Sequence, residues 1–230
     1  MRRFDVTRRH GHVMDAHAVP SPARDVAYRA VGLSEADAHP DPFVQFAGWY
    51  DEARAAVGER ADHLIVATAD TDCTPSARVV LLRGFDERGL CFYTNHESRK
   101  GAELAANPRA ALLLHWPELG RQVRVTGTVA RLDHAESAAY WRNRPRASQL
   151  SAWASRQSER VASRAVLEAE VARLAAEFGD DEVPLPPFWG GYRVTPDEFE
   201  FWHHRDDRLH DRLRYRREAP TGWALDRLGP

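Results

Sequence analysis

A chain of 230 residues can bury one sizeable core, so its length indicates a single domain rather than several. A hydrophobic content of 43%, a charged content of 29% and a net charge of -2 exclude a disordered chain and a general affinity for nucleic acid. No run approaches the ~18 apolar residues of a membrane span, and two cysteines are too few for a disulfide framework.

The N-terminal 40 residues are polar and lack sustained periodicity, which predicts a flexible arm or lid. Residues 1–19 lack the continuous apolar segment of a signal peptide. With Cys73 and Cys91 as the only cysteines, a reducing compartment is expected. We therefore expect a cytoplasmic protein with one domain over residues 41–230.

The first part of that domain is predicted to be a helix followed by strands. Apolar spacing over residues 41–57 predicts a helix with Asp41 as its N-cap and Pro42 at its first position. Three apolar runs separated by turn sequences, at 63–70, 76–85 and 90–95, predict a three-stranded antiparallel meander.

The rest of the chain mixes helices with further strands. A short helix within 97–110 ends at Asn107 and Pro108, and helical stretches follow between residues 134 and 180. Further strands are predicted at 109–116, 121–133, 190–204, 207–215 and 222–228. About eight strands with inserted helices predict a mainly β, α+β fold, an antiparallel barrel with peripheral helices.

Two cations lie at the start of the short helix. Arg99 and Lys100 occupy its first turn, where the helix dipole disfavours positive charge unless an anion is bound there. Of the 32 basic residues, only Lys100 is a lysine. The alternative is that both side chains simply point into water, but the pattern favours a phosphate site.

Two further groups of arginines are candidates for anion binding. One group combines arginine forks with hydroxyl donors: Tyr140, Arg142, Arg144, Arg146 and Ser148. An arginine-rich helix end is more often solvated, so this group alone does not identify a ligand. Arg78 and Arg83 enclose an apolar strand and are predicted to lie on opposite faces, where either they serve two different ligands or one of them is a surface charge.

The stretch 207–215 places cations at every second position. In a strand, Arg208, His210, Arg212 and Arg214 would share one face, directed either to solvent or to an anionic ligand. Trp189 and Trp202 fit either a core or a contact with a planar ring. His203 and His204 are interpreted as surface residues, and no metal site is expected.

The chain contains no GxGxxG, P-loop, HExxH or GxSxG motif. Several sites suited to phosphate, together with no evident nucleophile, predict that a phosphorylated organic cofactor carries the chemistry.

Ten segments carry a resemblance to a known family when they are taken in order: RVVLLR (78–83), FYTN (92–95), SRKG (98–101), RQV (121–123), YWRNRPRASQ (140–149), RQS (156–158), PPFWGGYRV (186–194), EFW (200–202), RLHDR (208–212) and the ending RLGP (227–230). Residues 25–230 resemble the pyridoxine/pyridoxamine 5'-phosphate oxidases. The resemblance implies an FMN-binding split β-barrel that forms a homodimer with flavin at the subunit interface.

The resemblance also implies roles for individual residues. FMN would contact Arg78, Val79, Tyr93, Thr94, Arg99, Lys100, Gln122, Gln157, Ser158, Trp202 and Arg212. The substrate phosphate would lie among Arg83, Tyr140, Arg144 and Ser148. Arg208 and His210 would be the catalytic pair, orienting the pyridine ring for hydride transfer from its C4' carbon to the flavin.

The implied reaction is oxidation of pyridoxine or pyridoxamine 5'-phosphate by O2 to pyridoxal 5'-phosphate and hydrogen peroxide, in vitamin B6 metabolism. The alternatives are a related flavin oxidase with another substrate, as in phenazine pathways, and a non-catalytic protein that binds flavin or pyridoxal phosphate. The sequence departs from the family in three places. Arg83 replaces a lysine, and Asp25 stands where the family often has an arginine, three residues before Tyr28 in the lid. The loop 203–207, HHRDD, is bulkier than the usual glycine-containing loop.

Overall fold

The computed structural model describes residues 32–218 and 222–230. The predicted lid therefore lies, up to residue 31, outside the described residues. Its remaining part packs against the barrel: Leu33 is buried, and its backbone N–H donates to Asp211 Oδ2 at 3.0 Å. The Leu33 carbonyl accepts a hydrogen bond from Arg227 at 3.0 Å. The packed body thus begins before the predicted start at Asp41.

The helices and strands follow the predicted order. The first helix, α1, has Asp41 as its N-cap, with Oδ1 accepting from the backbone N–H of Phe43 at 2.9 Å, as predicted. The elements are α1 (Pro42–Val57), β1 (His63–Ala69), β2 (Pro75–Leu81), β3 (Gly84–Asp86), β4 (Gly89–Asn95), α2 (Arg99–Ala106), β5 (Arg109–Trp116), β6 (Arg121–Arg131), α3 (His134–Arg142), α4 (Arg146–Ala154), α5 (Arg164–Phe178), β7 (Trp189–His203), β8 (Asp211–Glu218) and β9 (Gly222–Arg227).

The nine strands of the described residues join one antiparallel sheet in the order β2-β1-β5-β6-β7-β4-β3, while β8 pairs with β7 and β9 with β8. The sheet curls until the segment after β2 meets β4, where the Arg83 N–H donates to the Cys91 carbonyl at 2.9 Å. The predicted mainly β, antiparallel barrel with outer helices is confirmed.

The predicted meander over residues 63–95 is confirmed only in part, because the end of its second strand pairs with β4 through Gly84 and Phe85 alone. β1 and β2 pair as expected, but β4 pairs with β7, far along the chain, and with the short β3. β4 is buried along nearly its whole length, so the backbone N–H and C=O groups at both of its edges need strand partners. The β7 glycines allow this close pairing, because a Cβ at Gly191 would lie 2.9 Å from the Tyr93 ring.

The strand predicted at 207–215 begins only at Asp211. Arg208 has a left-handed backbone with φ of 66°, and Asp207 accepts a hydrogen bond from the Leu209 N–H at 2.9 Å. Arg208 and His210 therefore lie in the β7–β8 loop, so the predicted row of four cations on one face is wrong. Locally satisfied turn hydrogen bonds outweigh the alternation of residue types.

The side chains of the core form two clusters. The barrel interior is filled by aromatic and aliphatic residues that include Phe46, Phe92 and Phe199. The second cluster lies under the helices and contains Trp141 and Trp189. In the described ranges, no helix is both long and apolar enough to cross a bilayer.

His203 is buried, so its interpretation as a surface residue is wrong. β7 extends to this residue, and α1 covers the strand end, with the Trp49 ring 6.3 Å from the imidazole. Burial and the nearby Arg121 charge lower the pKa of His203 to about 4.

Gly127 marks a shift in register between β6 and β7, and it offers a test of the packing there. A Cβ at this position would lie 2.1 Å from the carbonyl oxygen of Thr195, which belongs to the backbone and cannot swing away. We expect Gly127→Ala to lower the free energy of unfolding by about 2–3 kcal/mol. Gly84→Ala, with no heavy atom within 4 Å of the new Cβ, is the control. Equal urea midpoints for the two variants would contradict this account.

Candidate functional site

A cavity of about 1080 Å³ opens between β2, β4 and the α3–α4 corner. It brings together many of the predicted site residues: Arg78, Val79, Arg83, Tyr93, Thr94, Lys100, Tyr140, Arg144, Ser148 and Gln157. Arg78 and Arg83 therefore face one cavity, contrary to the prediction of opposite faces. The reason is that β2 ends at Leu81, so the alternation of a strand does not extend to residue 83.

Lys100 is the buried cation of this cavity. Its Nζ donates to Gln157 Oε1 at 2.7 Å, to Thr94 Oγ1 at 2.9 Å and to Ser98 Oγ at 3.2 Å. Each of these acceptors is neutral. Burial, followed by the charge of Arg78, lowers the pKa of Lys100 to about 8. A desolvated ammonium at a helix N-terminus is a favourable place for an anion.

Glu103 is an anion that bonds to two other cations near Lys100, Arg78 and Arg99, and it was not identified from the sequence. Its carboxylate accepts from Arg99 Nε at 2.8 Å, from Arg78 at 3.2 Å and from Thr68 Oγ1 at 2.5 Å. Burial alone would raise the pKa of Glu103, but these bonds and one from Ser76 outweigh it and lower the pKa to about 2. The sequence feature that could have indicated its pairing with Arg99 is its position one helical turn after that residue.

Ser158 reaches the same helix end. Its Oγ accepts from the backbone N–H of Arg99 at 3.1 Å, and Ser158 itself has a left-handed φ of 77°. Such a conformation costs energy in a residue with a Cβ, and it occurs preferentially at binding sites. The Arg99 side chain itself is largely exposed.

Arg144 forms a second cationic surface of the cavity. Its guanidinium lies 4.5 Å from the Trp189 ring centroid and donates to the Ser148 carbonyl at 3.2 Å. Tyr140 stacks on Tyr93 with ring centroids 3.9 Å apart. Burial, and to a smaller extent the nearby Arg83, lowers the pKa of Arg144 from its ordinary value. Two neighbouring guanidinium groups favour an anion between them.

Arg83, which lines the same cavity, is also bound by the carboxylate of Asp62. The distance from its guanidinium to Asp62 Oδ2 is 3.3 Å, and Asp62 also accepts from Tyr50 Oη at 2.7 Å and from Arg54 at 2.9 Å. The carboxylate thus holds one edge of the Arg83 fork beside the cavity.

Asp62 uses only one edge of that fork, so the positive charge at position 83 remains available to an anion in the cavity. We expect Arg83→Lys to change the apparent affinity for a phosphorylated substrate by less than tenfold, about 1.4 kcal/mol. Steady-state KM values for the two proteins measure this. A loss of tenfold or more would mean that the planar fork itself is required.

The remaining predicted residues lie at the other end of β7. Gln122 pairs with Trp202, and Trp202 pairs with Arg212. The His210 ring lies 4.7 Å from that of Trp202. Gly190 pairs with the cavity residue Thr94, and Trp202 is twelve residues further along β7. The distance along the strand from Gly190 to Trp202 is therefore up to roughly 40 Å. Within one chain, the predicted site residues therefore form two separate groups, one at the cavity and one at the far end of β7.

The residues of the cavity fit a flavin mononucleotide. Lys100, Arg78 and the N-terminus of α2 are suited to a phosphate dianion, and Lys100 is desolvated without a carboxylate among its hydrogen-bond acceptors. The aromatic rings of Tyr93 and Tyr140 provide a flat apolar wall.

Comparison with known proteins gives the same family over nearly the whole chain. A family profile described as pyridoxamine 5'-phosphate oxidase matches residues 50–177, and one described as pyridoxine 5'-phosphate oxidase C-terminal dimerisation region matches residues 189–230. The pyridoxine/pyridoxamine 5'-phosphate oxidase of Rubrobacter xylanophilus is 55% identical over 203 residues, 88% of this chain and 93% of that protein. The enzyme of the same name from Salinibacter ruber is 54% identical over 205 residues, 88% and 95% of the two chains.

Solved structures agree with this assignment. PhzG from Burkholderia lata 383, in complex with tetrahydrophenazine-1-carboxylic acid, matches with a TM-score of 0.80 at 35% identity, over 85% of this chain and 95% of PhzG. A pyridoxamine 5'-phosphate oxidase-related, FMN binding protein from Nostoc punctiforme has a TM-score of 0.66 at 18% identity, over 83% and 98% of the chains, and shows the shared fold alone. The matched dimerisation region supports a homodimer. This chain belongs to the pyridoxine/pyridoxamine 5'-phosphate oxidase family of FMN-dependent oxidoreductases.

Proposed function

We propose that the protein oxidises pyridoxine 5'-phosphate and pyridoxamine 5'-phosphate to pyridoxal 5'-phosphate, with O2 as the electron acceptor, in the cytoplasm. One observation carries the proposal: a single cavity contains two cationic groups, one around Lys100 and one around Arg144. Two such groups match a reaction in which cofactor and substrate each carry a phosphate. The names of relatives 51–55% identical to the chain support the same substrates.

The first group would hold the cofactor. Lys100, Arg78 and Arg99 would bind the FMN phosphate, with Ser158 fixing the helix end and Gln157 orienting Lys100. Val79, Tyr93 and Thr94 would line the cavity beside the flavin. FMN, when bound, supplies hydride acceptance and reoxidation by O2. The protein contributes binding, orientation and exclusion of water.

The second group would hold the substrate phosphate. Arg83 and Arg144 would supply the charge, and Tyr140 and Ser148 would donate hydroxyl hydrogen bonds. Arg208 and His210 would orient the pyridine ring from the β7–β8 loop. Their contribution is positioning and electrostatics rather than covalent catalysis.

We further propose that each complete site contains residues of two chains. Gln122, Trp202 and Arg212 are predicted to contact the flavin, yet they lie at the opposite end of β7 from Thr94. A homodimer that places the β7–β8 end of one copy over the cavity of the other resolves this separation. The match to a dimerisation region over residues 189–230, which contain β7, β8 and β9, supports this arrangement.

Subunit mixing tests the shared site directly. Arg144→Gln and Arg208→Ala damage different groups, so each variant alone should be nearly inactive. After the two are unfolded together and refolded as mixed dimers, roughly a quarter of the wild-type activity per chain should return, because half of the dimers have one intact site. Sites built within one chain would give no recovery. Refolded wild-type protein is the control for losses in the procedure.

The phenazine-pathway alternative is favoured by one observation, the match to PhzG bound to tetrahydrophenazine-1-carboxylic acid. That ligand carries a carboxylate and no phosphate ester. The presence of Arg144 with Tyr140 and Ser148 at the cavity favours a phosphorylated substrate instead. A non-catalytic carrier of flavin or pyridoxal phosphate would bind these ligands without turnover.

Anaerobic mixing distinguishes these functions. FMN-loaded protein is combined with pyridoxine 5'-phosphate, and the absorbance band of the oxidised flavin is followed. Loss of the band, and its return when air is admitted, is expected for the proposed oxidase. Inertness toward both phosphorylated vitamers, combined with bleaching by a reduced phenazine carboxylate, would favour the alternative. If the band persists with all three compounds, the remaining function is that of a non-catalytic binding protein.

A further inference from the structure

The β7–β8 loop forms a turn closed by its own hydrogen bonds. The backbone N–H of Arg208 donates to the Arg205 carbonyl at 3.3 Å, and the N–H of Leu209 donates to Asp207 Oδ1 at 2.9 Å. The positive φ of Arg208 lets the chain reverse direction here. The turn therefore places His210 next to the backbone of Arg205.

The turn determines which ring nitrogen of His210 carries the proton. The backbone N–H of Arg205 donates to His210 Nδ1 at 3.0 Å. Because a backbone N–H can only donate, Nδ1 must accept, and the proton of the neutral ring lies on Nε2. Nε2–H is then the polar group that this ring can offer to a ligand.

The surroundings of His210 favour the neutral ring. Trp202 and His204 lie with ring centroids 4.7 and 5.2 Å away. Burial, followed by the charges of His204 and Arg208, lowers the pKa of His210 from its ordinary value, while Asp207 and Asp211 oppose the shift. Protonation would also add a hydrogen to Nδ1 and break the bond from Arg205.

We propose that His210 is a hydrogen-bond donor to an oxygen substituent of the substrate ring through Nε2–H, held in this tautomer by the 205–208 turn, and is not a proton-accepting base. The substrate in this statement rests on the proposed function. The bulkier loop HHRDD thus has a positioning role: its backbone, rather than any of its side chains, sets the tautomer of a substrate-binding histidine.

Nitrogen NMR of the FMN-loaded protein tests the tautomer without reference to activity. Histidine rings are labelled with ¹⁵N, and the His210 signals are identified as those lost in His210→Gln. At pH 7.5 we expect a pyridine-type Nδ1 and a pyrrole-type Nε2. The reverse pattern, or an imidazolium at this pH, overturns the proposal even if the protein proves to use another substrate.

Two substitutions test the donor role. The amide nitrogen of Gln can take the place of Nε2, whereas that of Asn reaches only the place of Nδ1. We expect His210→Gln to keep kcat/KM within about threefold of wild type and His210→Asn to lose about tenfold, the cost of one hydrogen bond. A proton-accepting base would instead make both variants lose about a hundredfold or more, with the acidic limb of the pH–rate profile abolished in both. That result overturns the proposal, whereas activity kept in His210→Gln and lost in His210→Asn supports it.

Discussion

Arg208→Ala should lower turnover of pyridoxine 5'-phosphate by about 10²–10³-fold and leave FMN bound. Arg208 lies outside the cavity that contains Lys100, in a loop whose turn it closes with a left-handed φ of 66°. Its assigned task is to orient the substrate ring, so its loss affects the hydride-transfer geometry rather than cofactor affinity. Stopped-flow reduction of the flavin measures the step itself.

Two variants control for the Arg208 result. Arg216→Ala removes a half-exposed arginine of β8 that pairs with Asp226, so it changes the net charge equally without touching the site. Arg208→Gly should be as inactive as Arg208→Ala yet more stable by up to about 1 kcal/mol, because glycine accepts positive φ without strain. Loss of flavin from Arg208→Ala would instead assign this residue to the cofactor.

Lys100→Met should weaken FMN binding by about a hundredfold, the cost of losing a charge-assisted hydrogen bond of about 2.7 kcal/mol. Affinity for riboflavin, which has no phosphate, should change by less than about threefold. Arg164→Met, at a highly exposed position in α5, removes one positive charge from a residue that does not line the cavity and serves as the control. Flavin fluorescence titration gives all of these dissociation constants. Equal losses for FMN and riboflavin would show that Lys100 only maintains the fold.

The same lysine predicts how FMN affinity depends on pH. The pKa of Lys100 is about 8, and a phosphate dianion binds the protonated form. Affinity should therefore fall by only about twofold between pH 7 and 8 and by up to about tenfold per pH unit above pH 8, because binding must then take up a proton. Tyr93, whose pKa burial raises to about 12, does not titrate in this range. Lys100→Met should lack this dependence, and an identical slope in both proteins would contradict the assignment.

Much of the candidate site could be predicted because several motifs are local in sequence. Arg99 and Lys100 were placed at a helix N-terminus from the residues around them, and α2 begins at Arg99. Glu103 escaped notice because its bonds to Thr68 and Arg78 join residues that are 25 or more positions apart. No periodicity indicates such contacts.

The sequence by itself determined the order of helices and strands, the N-cap of α1 and the cations at the start of α2, since these depend on residues within a few positions of each other. Only the tertiary structure decided that β4 pairs with β7, that Arg78 and Arg83 share one cavity, and that His203 is buried. It also separated Trp202 and Arg212 from that cavity, at the far end of β7. These features arise from long-range strand pairing and closure of the sheet, where burying apolar surface outweighs local residue preference.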